Sequence, residues 1–414
     1  MKKLIAGIRS GDPGSLLAAF LYFDVSFMVW VLLGALGVLI AQDLSLSPTQ
    51  KGLMVAIPLL SGAAMRILVG VLTDRFGPKR IGVWSLSVVL IPLLWGWWAA
   101  ESFSELLGLG LLLGVAGASF AVALPLASRW YPPEHQGLAM GIAGAGNSGT
   151  IIAVLAAPRL AQLDGIGWHG VFGLAILPLL ATLIAFSFLA REVPPRLPQR
   201  AATVLREPDL WWFCGFYGVT FGGFVGLASF LGMFFHDQYG VGAVAAGSLT
   251  GLCVFAGSLI RPVGGFLADR VGGLRLLTIL YGLIAVLFGC VGTLPPLHPV
   301  VSLMFLGMLA LGMGNGAMFQ LVPQRFADQI GVVTGIVGAA GGVGGFFLPS
   351  LLGALKDLTG SYGSGFWVFA LLALACLTAI ATNQHRWTLV WAQKAGECAE
   401  GQPKRVRMEV VFGG

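Results

Sequence analysis

Arg66 and Arg261 stand 195 residues apart, each inside a long apolar stretch of this 414-residue chain. An arginine near the centre of a bilayer costs about 2.5–3.5 kcal/mol even on the lenient insertion scale. Neither has an acid within one helical turn inside its stretch. The nearest, Asp74 and Asp269, are eight residues on, about 12 Å along a helix that rises ~1.5 Å per residue. A mobile anion gripped by both side chains would relieve that cost. A guanidinium fork suits a planar oxyanion, because two N–H donors meet two oxygens in one plane. The blander reading is fixed pairing, with backbone carbonyls or with Asp24.

Asp24, in "FLYFDVSFMVW", is the one acid deep in an apolar stretch. An ionised carboxylate there needs a cation or a proton. It could carry protons as its surroundings alternate between wet and dry. It could equally form a fixed ion pair with Arg66 or Arg261, or position the first helix by a hydrogen bond. Moving a monoanion inward against an inside-negative potential costs about 2.3 kcal/mol per 100 mV. Uptake therefore needs more than one co-transported proton per anion, or exchange against another anion. A titratable acid permits the former.

The stretch "GIAGAGNSGT" (141–150) has the spacing of a dinucleotide fingerprint. That fingerprint follows a strand and opens a helix in a βαβ unit, whereas this one lies in the middle of an apolar block. Glycine on a membrane helix instead permits close backbone approach. Gly141, Gly144, Gly146 and Gly149 read as such a surface, echoed by Gly335, Gly338, Gly341, Gly342, Gly344 and Gly345 before Pro349. Two such helices could rock past one another as gating elements. Packing does not explain Asn147. An amide that deep wants a partner, and a bound oxyanion would be one.

Long helices are needed to place these residues. The chain is 57% hydrophobic and 10% charged, with a mean hydropathy of +0.87; a soluble chain carries roughly 25% charged residues. Twelve apolar blocks are expected to span, at 16–41, 52–73, 79–99, 104–129, 136–160, 168–190, 209–235, 243–268, 273–294, 299–325, 331–356 and 363–385. Each is near the about 20 residues that cross a ~30 Å hydrocarbon layer. Continuous apolar blocks argue against a β-barrel, whose strands alternate. The fold class is therefore an all-α membrane protein. The five cysteines show no zinc or disulfide spacing, and the N-terminus does not read as a cleaved signal.

Lysine and arginine orient the spans. With both termini inside, nineteen of the 24 fall in cytoplasmic segments, and only Lys51, Arg159 and Lys356 face outside. Basic loops facing anionic lipid account for the net charge of +6 without nucleic acid.

The chain repeats itself. Arg66, Gly70, Asp74 and Arg75 recur 195 residues later as Arg261, Gly265, Asp269 and Arg270. Gly141-Ile-Ala-Gly-Ala145 returns as Gly335-Ile-Val-Gly-Ala339, and Arg129 matches Arg325. The expected domains are a six-helix bundle at 1–190, a Pro- and Arg-rich linker at 191–208, a second bundle at 209–385 and a tail at 386–414. Parallel six-span repeats with a midplane site describe a class of secondary transporter. The stretch from Gly70 to Arg80 resembles the cytoplasmic signature of the major facilitator superfamily, with a worn copy from Gly265 to Arg275. Asp74, Arg75, Asp269 and Arg270 would form a cytoplasmic latch that breaks as the inward side opens.

Within that superfamily the chain resembles the nitrate/nitrite porters. Gly141-x-x-Gly144-x-Gly146-Asn147-x-Gly149 is similar to the family's first signature, and "GIVGAAGGVGGFFLPSLLG" (335–353) to its second. The resemblance makes Arg66 and Arg261 the substrate arginines. It also implies aromatic walls around the anion, at Phe120 in helix four and at Tyr217 and Phe221 in helix seven, with Phe27 or a neighbour a looser match. The first helix, "FDVSFMVWV", resembles those of proton-coupled importers rather than exchangers.

The expectation is a transporter rather than an enzyme, without cofactor or metal. It would import nitrate, with nitrite a further candidate, across the cytoplasmic membrane by alternating access as a monomer, coupled to protons. Arg66, Arg261, Asn147, Tyr217, Phe120 and Phe221 would bind the anion, and Asp24 would couple protons. The alternatives are a nitrate/nitrite exchanger, a porter of another small monovalent anion, or a sensor without flux.

Overall fold

The structure, a computed structural model, describes residues 8–192, 204–326 and 330–400. Much of the expected linker and the tail beyond 400 therefore lie outside the described residues. Helices and turns make up those residues, with no strand among them. Twelve helices are long and apolar enough to cross a membrane.

They follow the expected blocks closely. In chain order they are α1 (Pro13–Trp30, continued by Leu32–Ala35 and Gly37–Asp43), α2 (Pro48–Phe76), α3 (Pro78–Trp98), α4 (Phe103–Gly117, then Phe120–Ser128) and α5 (Pro133–Gly144, a 3-10 turn Ala145–Ser148, then Gly149–Ala161). Next come α6 (Gly167–Leu189), α7 (Pro208–Tyr239), α8 (Ala243–Leu259, then Arg261–Val271), α9 (Gly273–Gly292), α10 (Leu297–Arg325), α11 (Ile330–Thr359) and α12 (Gly363–Glu400). The last helix does not stop at 385 but carries on through the start of the expected tail.

Local chemistry sets the ends. Ser47 with Gln50, and Ser102 with Glu105, form capping boxes that satisfy the first N–H groups of α2 and α4. Gly77 and Gly272 end α2 and α8 at φ +92° and +88°, a backbone that L side chains rarely adopt. They are the same glycine of the repeated motif, so the two loops turn alike.

Large apolar side chains face outward, among them Phe188, Leu177, Val286 and Leu371. In water such a surface would drive association; against lipid it is the expected exterior. Inside, α11 packs along both α2 and α7, α5 packs on α8, and α1 meets α7. These contacts join the first six helices to the last six and leave a seam between them near Arg66 and Arg261.

Candidate anion site between the two arginines

Irregular backbone positions each charged group. In α4 the amide of Ala121 turns to the carbonyl of Ala118, which frees the carbonyl of Gly117. Arg66 Nε donates to that oxygen at 3.0 Å, and Arg66 Nη1 donates to the carbonyl of Gly338 on α11 at 2.6 Å. In α8 Pro262 has no N–H to offer the carbonyl four residues back. The helix breaks at Ile260, and Arg261 opens its second segment.

Arg66 is 4% exposed. Its guanidinium carbon lies 5.1 Å from the ring centre of Phe221 and 5.4 Å from that of Trp30. Arg261 Nη2 donates to the Tyr217 hydroxyl at 3.2 Å, and its guanidinium lies 5.4 Å from the ring of Phe319. Tyr217 stacks on Phe221 with centroids 5.0 Å apart and planes 8° from parallel. Phe319 meets Tyr217 edge-on at 5.0 Å and faces Phe120 at 6.1 Å; Phe120 in turn lies 5.9 Å from Phe23. Two cations, one from each set of six helices, thus share one aromatic cage. Cation–π contacts help hold them there, but they do not neutralise them. A small planar anion fits that chemistry.

The expected residues fall in three groups. Arg66, Arg261, Tyr217, Phe221 and Phe120 come together directly. Asn147 sits in the 3-10 turn of α5, 3% exposed, with its amide oxygen buried and unbonded among the described residues. Asp24 is 8% exposed and accepts from Ser148 Oγ at 2.6 Å. Among the described residues no ion pair involves Asp24, Arg66 or Arg261. The fixed Asp24–arginine pair is therefore not the arrangement here, while the carbonyl partners of Arg66 are.

The glycines divide by neighbour. A Cβ at Gly146 or Gly149 would strike α1 at Phe23 and Asp24. At Gly341 and Gly344 it would strike α7, and at Gly342 it would strike α2. Each glycine helix is seated on these neighbours, so any sliding surface is with them rather than between α5 and α11. Gly141, Gly144, Gly335 and Gly338 would meet nothing within 4 Å. Open space lies beside each of these four positions.

The two ends of the bundle differ. At the Lys51 end, contacts cross between the first six helices and the last six: Lys51 to Asp237 at 2.7 Å, Arg159 to Ser248 at 2.8 Å, and Thr49 to Asp357. Tyr362 also donates to Asp237 at 2.8 Å. At the opposite end the ion pairs stay within each set. Arg129 reaches Asp74 at 2.5 Å, and Arg325 reaches Asp209 at 2.5 Å and Glu207 at 2.6 Å. Asp269 has no ion pair among the described residues, because Arg325, the counterpart of Arg129, turns to the start of α7 instead. Arg75 and Arg270 lie over Phe76 and Phe266 of their own helices.

Sequence reasoning missed Trp30, Phe319 and Ser148, and passed over Asn315, a buried amide on α10. Asn315 carried a readable signal, since it is an amide in an apolar span just as Asn147 is. The aromatics carried none, because a phenylalanine in a membrane helix is ordinary.

Comparisons with known proteins agree with this architecture. The family model described as Major Facilitator Superfamily matches residues 18–349. The "Nitrite extrusion protein" of Bacillus subtilis is 35% identical over 84% of this chain and 89% of its own length. A "Probable nitrate/nitrite transporter" of Mycobacterium tuberculosis is 34% identical over 90% of this chain and 97% of its own. A "Probable nitrate/nitrite antiporter" of Thermus thermophilus is 32% identical over 85% and 87%. A bacterial homologue of the human lysosomal transporter Spinster, solved in an inward-facing and occupied conformation, matches in fold with a TM-score of 0.67. It is 21% identical, over 89% of this chain and 96% of that one.

Proposed function

The chain belongs to the Major Facilitator Superfamily, a family of transporters and not of enzymes, and from that premise we propose that it carries nitrate, and nitrite, through the membrane. The single observation behind the substrate is the convergence of Arg66 and Arg261 on one aromatic cage, with no ion pair to either among the described residues. The names of the relatives support the same anions.

The proposed mechanism is alternating access between bundles 1–190 and 209–385. Contacts across the seam at the Lys51 end, with open space beside Gly144 and Gly338, support reading this arrangement as closed on the Lys51 side. On the positive-inside rule we take the Arg129 end, and with it both termini, as the cytoplasmic side of the cytoplasmic membrane. The arrangement is then inward-open. Anion enters from outside, is gripped by both arginines and Asn147, and leaves past the glycines of α5 and α11. Asp24, held by Ser148 beside the glycine turn, takes and returns the coupling proton.

The second reading is nitrate/nitrite exchange, favoured by the relative named as an antiporter. Proteoliposomes separate the two. Nitrate accumulation driven by an imposed pH gradient, without internal nitrite, supports symport. Uptake only into nitrite-loaded vesicles sinks it.

A further inference from the structure

We infer that Asn315 on α10 is a specificity-determining residue of the anion site, the neutral amide that meets the O–O edge of a trigonal oxyanion left open by the two arginines; this rests on the nitrate reading above. Asn315 is 1% exposed, and its amide oxygen is buried with no hydrogen-bond partner among the described residues. Its neighbour Gly316 lies against the backbone carbonyl of Arg261, where a Cβ would collide. Phe319, one turn further and so on the same helix face, packs on the Arg261 guanidinium and on Tyr217. The bare backbone at Gly316 lets α10 close on α8. From there α10 sets the Phe319 ring on Arg261, with Asn315 one turn away on the same helix face.

Interiors rarely keep an amide without a partner, because burying one unpaired is costly. Asn147 is in the same condition on α5. The two amides come from the two sets of six helices, as the two arginines do. A guanidinium fork grips one O–O edge of an oxyanion. Nitrate has three such edges, and the forks of Arg66 and Arg261 account for two. An amide nitrogen supplies donors to the third without adding charge, and a half-turn about χ2 brings Nδ2 to where Oδ1 stands. Nitrite is bent and has one O–O edge, so it leaves an amide stranded. A site built to hydrogen-bond a substrate group rejects the analogue that lacks it. Nitrate and nitrite carry the same charge, so charge alone does not tell them apart; the Asn315 amide adds a hydrogen bond that only nitrate can complete.

The test compares the full-length protein with Asn315→Leu, which has nearly the same shape, in proteoliposomes. kcat and KM are measured for nitrate and for nitrite. Asn315→Leu is expected to lower the nitrate-over-nitrite ratio of kcat/KM about 10-fold, mainly through KM for nitrate. Asn315→Ser, small and polar, applies the same ratio test should the leucine variant fail to fold. An unchanged ratio overturns the inference. So do equal losses for both anions, which mark a packing role. Wild-type protein that transports neither anion overturns the nitrate reading itself, before any variant is compared.

Discussion

Arg261 donates to the hydroxyl of Tyr217 at 3.2 Å while the ring of that tyrosine lies parallel to Phe221. One residue thus aims the cation with its hydroxyl and walls the site with its face. Tyr217→Phe removes only the first role. The expected result is a rise in KM for nitrate of about 10-fold, from a lost hydrogen bond to a charged group worth roughly 1.5 kcal/mol, with protein yield and melting temperature nearly unchanged.

Lysine does not replace Arg66. Its ammonium is a point charge, whereas Arg66 serves Gly117, Gly338 and the open cage from one plane. Arg66→Lys and Arg261→Lys should each lower kcat/KM for nitrate uptake at least about 100-fold, near 3 kcal/mol. Wild-type uptake in either variant would show that the forks do not hold the anion.

Asp24→Asn keeps the shape and the acceptor for Ser148 but removes the titrating group. Accumulation driven by a pH gradient should vanish while nitrate/nitrite exchange continues. If both persist, Asp24 is not the proton carrier.

The glycines of α5 should separate in a stability assay. Gly149→Ala pushes a methyl into the backbone of α1 at Asp24, and overpacking of this kind costs about 1–3 kcal/mol. Gly144→Ala meets open space and should leave the melting temperature alone or raise it slightly. If closure on the anion uses that gap, Gly144→Ala will nonetheless slow transport.

Lys51 and Asp237 are both 15% exposed and join α2 to α7. Lys51→Asp should impair transport, and adding Asp237→Lys should restore much of it. Burial first, and the Asp237 carboxylate after it, push the Tyr362 phenol above its ordinary value. Tyr362 therefore stays a donor to Asp237 in the folded protein. Its contribution to stability is whole below the unfolded value near 10 and is lost only as pH rises past that point. A melting temperature of wild type relative to Tyr362→Phe that converges near neutral pH would contradict this.

Hydropathy exposed all twelve helices because lipid sets both their length and their composition, and the repeat exposed Arg66 and Arg261 as a pair. Rotation about the helix axes was hidden. Nothing in "GIAGAGNSGT" says that Gly146 and Gly149 face α1 while Gly141 and Gly144 face a gap, since a glycine carries no mark of direction. The bends of α1 at Val31 and Leu36 have no proline to announce them. The ion pairs at that end were half readable. Asp74 found Arg129, but Arg325 had acids at 207 and 209 to choose from, and tertiary position made the choice.

The break in α4 and the carbonyl of Gly338 bear on how quickly cargo departs. Arg66 already spends two donors on backbone dipoles, so in the proposed site it would hold an anion more loosely than an unengaged guanidinium would. One of those dipoles belongs to α11, across the seam. Were α11 to draw away from α2, that donor would be freed and the grip would tighten; on its return the grip would slacken. Residence time would then follow the position of a single helix, short in the arrangement that delivers and long in the one that collects.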